Sequence, residues 1–377
     1  MKSLIYFFTV AFVLTIFTFC GGGKKLSQSS SSQAKGLKDY YKDYFLIGAA
    51  VTPRSLRGDD SALIVNHFNS ITAENAMKMG PIHPRENEYN WGGADSIAAF
   101  AKKHNLKMRG HTLCWHTQAP TWIFTDEKRD TVSKQVLLQR LKDHITTVVN
   151  RYKGTVYGWD VVNEVIDDNA AVVFRNTAWY RICGEEFIAK AFEYAHAADP
   201  KAILFYNDYN TENPRKREKI YQMVKKMKEA GVPIHGVGLQ GHWSINNPPQ
   251  EELEKSIQMF SALGLQVQVT ELDVSVYGGR QGGQIINGQR RDTTSTFTPE
   301  MEQLQREKYK MIFDVFRKEK DKITGVTFWN LSDRSSWLDG RGRKNYPLLF
   351  DTNRQPKKVY WDVVNFDKKE VKSGNTL

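Results

Sequence analysis

Short apolar or β-branched runs alternate with stretches of helical periodicity along most of the chain. The runs that read as strands are Phe45–Val51, Ser70–Glu74, Lys107–Cys114, Val156–Val162, Ala202–Tyr206, Gly236–Gln240, Leu265–Thr270 and Thr324–Trp329. Helical patterns cover Ser61–Phe68, Ala94–His104, Ser133–Tyr152, Glu185–Ala198, Pro214–Ala230, Gln250–Leu263, Pro299–Lys320 and Lys358–Phe366. Several strand runs are apolar throughout, which predicts parallel strands buried on both faces. Strict strand–helix alternation predicts helical crossovers. Eight such units over about 330 residues predict an α/β fold, a single (β/α)8 TIM barrel with insertions. An open doubly wound sheet is the alternative. No glycine-rich phosphate fingerprint follows any strand, which counts against its nucleotide-binding form.

The two ends depart from this pattern. Leu4–Phe19 is a 16-residue apolar run preceded by Lys2, too short for a span and suited to a secretory signal over residues 1–19. Cys20 follows at once, in a register that resembles a bacterial lipoprotein signal, although Phe19 stands where a small residue is usual. Residues 21–35, GGGKKLSQSSSSQAK, read as a flexible tether. The expected organisation is therefore a signal peptide (1–19), a lipidated Cys20 with its tether (20–35), a catalytic barrel (36–368) and a tail (369–377). This predicts export, as a lipoprotein on a periplasmic or cell-surface membrane face, or else secretion. Residues 278–296, GGRQGGQIINGQRRDTTST, form a polar, Gly-rich insertion after the seventh strand, on the face where barrel enzymes act.

The polar residues fall where the strands end. Thr72-Ala73-Glu74-Asn75 closes the second run, with Lys78 beyond it. The third runs on to His111, Trp115 and His116, the fourth to Asn163-Glu164, and the fifth to Asn207-Asp208-Tyr209. The sixth ends in Gln240-Gly241-His242-Trp243, the seventh in Glu271-Leu272-Asp273, and the eighth in Trp329-Asn330. One such residue reads as a cap. Seven strands ending this way predict one polar, aromatic-walled cup at the C-terminal face.

Glu164 and Glu271 stand out because a carboxylate ending an apolar strand carries a desolvation cost unless it is satisfied. Two carboxyls facing each other across a cup suit glycosidic cleavage, one protonated to donate and one ionised to attack or to activate water. Glu271 and Asp273 share a strand face, and His242 from the neighbouring strand end can bond both. A histidine there favours ionised Glu271, the role of a nucleophile. Glu164, with Asn163 beside it and tryptophans nearby, fits the group that holds the proton. Asn163 and Glu164 are adjacent, so both can point inward only if the strand end is irregular.

TAENAMK (72–78), RGHTLCWH (109–116), WDVVNE (159–164), YNDYN (206–210), QGHW (240–243), TELD (270–273) and the pair FWN/SWL (328–330, 336–338) resemble, in order, the family 10 glycoside hydrolases. The resemblance spans roughly residues 36–366 and implies endo-acting cleavage of internal β-1,4-xylosidic bonds in xylan. It implies a (β/α)8 barrel, a retaining mechanism and no cofactor or metal. It implies Glu164 as acid/base, Glu271 as nucleophile, and His242 and Asp273 as supports of the nucleophile. It places Glu74, Asn75, Lys78, His111, Trp115, Asn163, Gln240, Trp329 and Trp337 on the glycone side, with Asn207 and Tyr209 lining the cleft. Asn330 departs from the usual glycine, and the loop 278–296 from the usual compact loop.

Composition changes this picture little. Nine tryptophans and 16 tyrosines can supply sugar-stacking faces. The net charge of +11 is spread along the chain, which points to a solvated basic surface and away from nucleic acid. Cys114 and Cys183 read as apolar fillers. The expected partners are xylan and xylo-oligosaccharides, with membrane contact only through the lipid anchor, and the chain is expected to be a monomer. A related barrel glycosidase acting on β-glucan or mannan, and a sugar-capturing lipoprotein without catalysis, are the competing readings.

Overall fold

Eight parallel strands form the centre: β1 Leu46–Val51, β2 Ser70–Ala73, β3 Lys107–Trp115, β4 Val156–Asn163, β5 Ile203–Asp208, β6 Gly236–Leu239, β7 Gln266–Ser275 and β8 Ile323–Phe328. The computed structural model describes residues 35–277, 280–281, 284–285, 296–340 and 343–366. The predicted signal segment, Cys20, nearly all of the tether, most of the loop 278–296 and the tail 369–377 lie outside the described residues. Each strand pairs with the next in chain order, and β8 closes the ring, with Gly325 opposite Leu46 of β1 and Ile323 opposite Val267 of β7. This is a (β/α)8 barrel. The three-residue strand His242–Ser244 continues the β6 side by pairing with Asp273–Ser275.

The strands are buried on both faces, whether the side chain is apolar or polar. Ile47–Val51 of β1 is wholly buried, and in β7 only Gln266 is not. Inner positions meet across the barrel while outer positions meet the helices, so both faces are dry. The outer ring is α1 Gly58–His67, α2 Gly92–Lys103, α3 Lys134–Tyr152, α4 Glu186–Ala198, α5 Pro214–Glu229, α6 Gln250–Ala262, α7 Pro299–Lys318 and α8 Lys358–Val364. Their starts are fixed locally. Ser133, Asn213 and Thr298 cap α3, α5 and α7 with side-chain oxygens, and Pro214 and Pro299 follow two of these caps. Helix α1 starts three residues before the expected Ser61, and Asp59 and Asp60 then lie in its first turn, where acids complement the helix dipole.

On the outer, helix-facing side of the sheet, Gly110 of β3 faces the Trp159 indole of β4, which also meets Tyr152 of α3. A Cβ at Gly110 would lie 2.0 Å from a ring carbon, so no larger residue fits. On the opposite, inner face a polar knot is buried. Arg109 grips Asp160 with two bonds of 2.8 and 2.9 Å, and His111 Nδ1 lies 2.9 Å from the same carboxylate. Burial opposes ionisation of Asp160, yet the Arg109 and His111 contacts outweigh it and hold the carboxyl below its ordinary range. The knot forms a floor beneath the strand ends. Cys114 and Cys183 are both buried thiols, as expected of fillers.

Candidate active site

Asn163 ends β4 as a regular strand residue, and Glu164 after it has φ of +59°. That left-handed turn, together with a register shift between Asp160 and Val162 against β5, breaks the two-residue alternation. Both side chains therefore reach the same cup. Glu164 Oε2 accepts from the Trp115 indole N–H (2.9 Å) and Oε1 accepts from Gln240 Nε2 (2.8 Å). The tryptophan beside Glu164 is thus a hydrogen-bond donor as well as an apolar wall.

Glu271 lies across the amides from Glu164. Asn207 Nδ2 donates to Glu271 Oε1 (2.8 Å), the Asn163 and Asn207 amides are 2.9 Å apart, and Gln240 Nε2 reaches Asn163 at 3.4 Å. Three amides therefore link one carboxylate to the other on a single rim. The second oxygen of Glu271 lies 3.0 Å from His242 Nε2, and His242 Nδ1 lies 2.9 Å from Asp273 Oδ2. Asp273 also accepts from the Trp337 indole N–H at 2.8 Å. Burial disfavours a charged His242, but Asp273, and then Glu271, overcome it and push its pKa up to about 10. At neutral pH both ring nitrogens donate. Burial opposes ionisation of Glu271 as well, and the His242 hydrogen bond with the nearby His111, His242 and Lys78 charges holds the carboxyl below its ordinary range. Glu271 is therefore the ionised member facing a protonated histidine.

The β2 end closes one side. Lys78 is buried, donates to Asn75 Oδ1 (3.0 Å), and sits 4.9 Å from the Trp115 ring and 5.9 Å from the Trp329 ring. Burial lowers its pKa, against the pull of Glu271, Glu74 and Glu164. Burial raises the carboxyl of Glu74, against Lys78 and the Asn75 amide. His111 and Trp329 meet edge-on at 5.3 Å, and Trp337, 40% exposed, packs at 4.7 Å from His242. Polar donors, the Lys78 and His242 cations and indole faces thus line a cup with two carboxylates at its centre, suited to a neutral polyhydroxyl ligand.

A family model matches residues 36–366 to glycosyl hydrolase family 10. The chain belongs to that family. It is 46% identical over 340 residues to endo-1,4-beta-xylanase B of Paenibacillus barcinonensis, a match spanning 89% of this chain and 100% of that one. It is 46% identical over 365 residues to a beta-1,4-xylanase of Dictyoglomus thermophilum, covering 96% and 99%. The crystal structure of xylanase XynB from Paenibacillus barcinonensis, complexed with a conduramine derivative, superposes with a TM-score of 0.84 at 46% identity, covering 89% of this chain and 99% of that one. Family 10 enzymes hydrolyse internal β-1,4 bonds of xylan with retention, using two glutamates.

Not every residue of this family 10 site was singled out by sequence. Arg109, Asp160 and Tyr206 lie inside recognisable motifs but read as strand residues, and Asp208 reads only as a polar strand end. Arg175, Asp168 and Lys216 carry no motif signal. They come from the segment after β4 and from α5, and they gather around Tyr209, whose hydroxyl lies 2.6 Å from Arg175 Nη2 and 2.5 Å from Asp168 Oδ2. Tyr209, directly after β5, thus belongs to this cluster, with the Lys216 ammonium over its ring.

Proposed function

We propose that this protein is an endo-1,4-β-xylanase in which Glu164 is the acid/base and Glu271 the nucleophile. The observation that carries this reading is the asymmetry of the linked pair. Glu271 faces an imidazolium, while the Glu164 carboxyl accepts from the neutral donors Trp115 and Gln240. Glu164 gives its proton to the glycosidic oxygen as Glu271 attacks the anomeric carbon from the opposite face. The aglycone leaves, and the sugar is held as an ester of Glu271. Glu164, now a carboxylate, takes a proton from the incoming water, which attacks the same carbon and releases Glu271. Two inversions give net retention, which requires carboxyl groups about 5–5.5 Å apart.

Glu74, Asn75, Lys78, His111, Trp115, Asn163, Gln240, Trp329 and Trp337 bind the glycone, and Asn207 and Tyr209 line the cleft beyond it. His242 and Asp273 hold Glu271 ionised. Trp329 and Trp337 crowd the space beside C5, so a glucose hydroxymethyl clashes where xylose fits. Cellulose hydrolysed as fast as xylan would contradict that exclusion. We further infer export through residues 1–19 and acylation of Cys20, which the apolar run and the register of the cysteine support. No helix among the described residues is long and apolar enough to cross a membrane. Labelling of expressing cells with an alkyne fatty acid, wild type against Cys20→Ala, tests acylation. For the reaction, reducing ends released from xylan should vanish in Glu271→Ala, and proton NMR of fresh product should show the β-anomer first. First-formed α-anomer, or full activity in Glu271→Ala, would overturn the reading.

A further inference from the structure

The acid/base Glu164 is held by its side-chain partners in a backbone conformation that its own residue type does not favour. A non-glycine residue at φ of +59° persists only where its surroundings over-determine it. Every polar group of the local backbone is accounted for. Glu164 N donates to Asn207 O (3.0 Å), which ties it to β5. Arg175 Nε donates to Glu164 O (3.1 Å), and Arg175 N donates to Val165 O (2.8 Å). Val165 N donates to the Tyr206 hydroxyl (3.2 Å). Two side chains, Arg175 and Tyr206, thus clamp the peptide that carries Glu164 from opposite directions.

Both clamps are themselves anchored. Nη2 of the Arg175 guanidinium donates to the Tyr209 hydroxyl (2.6 Å) and Ile166 O (3.4 Å), and lies 3.7 Å from Asp168. Tyr206 is fully buried and donates to Asp208 through a short bond. Asp208 also accepts from Tyr209 N (2.9 Å) and pairs with Lys216 (2.9 Å), whose ammonium meets Asp168 at 3.1 Å. The two arms meet at Asp168–Lys216 and close a ring of bonds around the Glu164 backbone.

We propose that Arg175 is a positioning residue that, with Tyr206, fixes the aim of the Glu164 carboxyl. The proposal rests on the reading of Glu164 as acid/base. Without the guanidinium, the Glu164 carbonyl loses its partner and the left-handed turn can relax toward extended backbone. Glu164 then swings away from the glycosidic oxygen, while Glu271, held from β7 and His242, keeps its place.

An acid positioned for the leaving group matters only when the leaving group needs a proton. The test is kcat/KM for phenyl β-xylobioside, a poor leaving group, against 2,4-dinitrophenyl β-xylobioside, which departs unprotonated. The pair places an aromatic ring at the same position, so lost contacts to a longer aglycone do not enter. Arg175→Gln should lose about 10- to 100-fold on the phenyl substrate and stay within about 3-fold on the dinitrophenyl one. Arg175→Lys should recover part of the phenyl activity, and Tyr206→Phe should lose in the same selective way. Equal loss on both substrates, or no loss on either, would overturn the proposal. Glu164→Ala run beside them separates the two readings. If it shows no leaving-group selectivity, the acid/base assignment itself fails. If it is selective and Arg175→Gln is not, only the positioning role fails.

Discussion

Asp273→Asn removes the charge that keeps His242 protonated while leaving an oxygen for its two donors. In the native site Asp273 Oδ2 accepts from His242 (2.9 Å) and from Trp337 (2.8 Å). With a neutral amide there, burial dominates, and His242 falls from about 10 toward the neutral form at assay pH. Glu271 then loses a positive charge held at 3.0 Å. Two unit charges at that separation attract by about 5 kcal/mol at an effective dielectric near 20, and roughly a quarter of that equals one pH unit. The sign follows from the nucleophile. Native Glu271 is held ionised well into acid, and weakening its support lets it protonate at higher pH. The acid limb of kcat/KM, which reports the free enzyme, should therefore move up by about one pH unit or more. The assay is a pH profile on an aryl β-xylobioside, with a thermal melt showing that the variant remains folded. An acid limb that stays in place, or moves down, in folded protein would refute the electrostatic role given to His242 and Asp273.

The same pair shapes stability. His242 has a folded pKa of about 10 against an ordinary 6.5, so its contribution is fully present below pH 6.5 and is lost as pH rises through about 10. The stability gap between wild type and Asp273→Asn should shrink over that range in urea titrations, and a gap that widens would contradict it. Arg109→Met strips the buried Asp160 carboxylate of its guanidinium partner, leaving the His111 contact, and should cost about 3–5 kcal/mol in urea unfolding. A cost below about 1 kcal/mol would mean that the Arg109–Asp160 knot is dispensable. Asn330, with φ of +116°, occupies backbone space that glycine favours. Asn330→Gly should therefore stabilise by about 1 kcal/mol, read as a higher Tm, and a lower Tm would count against strain there.

The barrel was legible because its signal is redundant. Strands such as β1 and β5 carry apolar side chains on successive positions because both faces are covered, and helices with side-chain caps, such as α5 and α7, punctuate the alternation. The short helices Leu37–Tyr40, Met79–Ile82 and Ala178–Cys183 and the strand His242–Ser244 went unread, since three to six residues show no period. The site was legible where chemistry sits on strand ends, as at Glu271 and Asp273, whose spacing of two puts both on His242. The need for an irregular end at Asn163-Glu164 was also legible, but its form was not. A left-handed Glu164 depends on Arg175 and Tyr206, and neither is fixed by local sequence. Trp115 shows a further limit, because composition marks it as an apolar wall and only geometry reveals its N–H aimed at Glu164.

The central claim is that Glu271 attacks the anomeric carbon and carries the sugar while Glu164 handles the proton. A 2,4-dinitrophenyl 2-deoxy-2-fluoro-β-xylobioside slows both steps but spares the first through its leaving group, so the covalent intermediate accumulates. Intact-mass analysis followed by peptide mapping should find one fluoroxylobiosyl group per chain, esterified to Glu271. A label on Glu164 or elsewhere, or turnover with no adduct at all, would contradict the account.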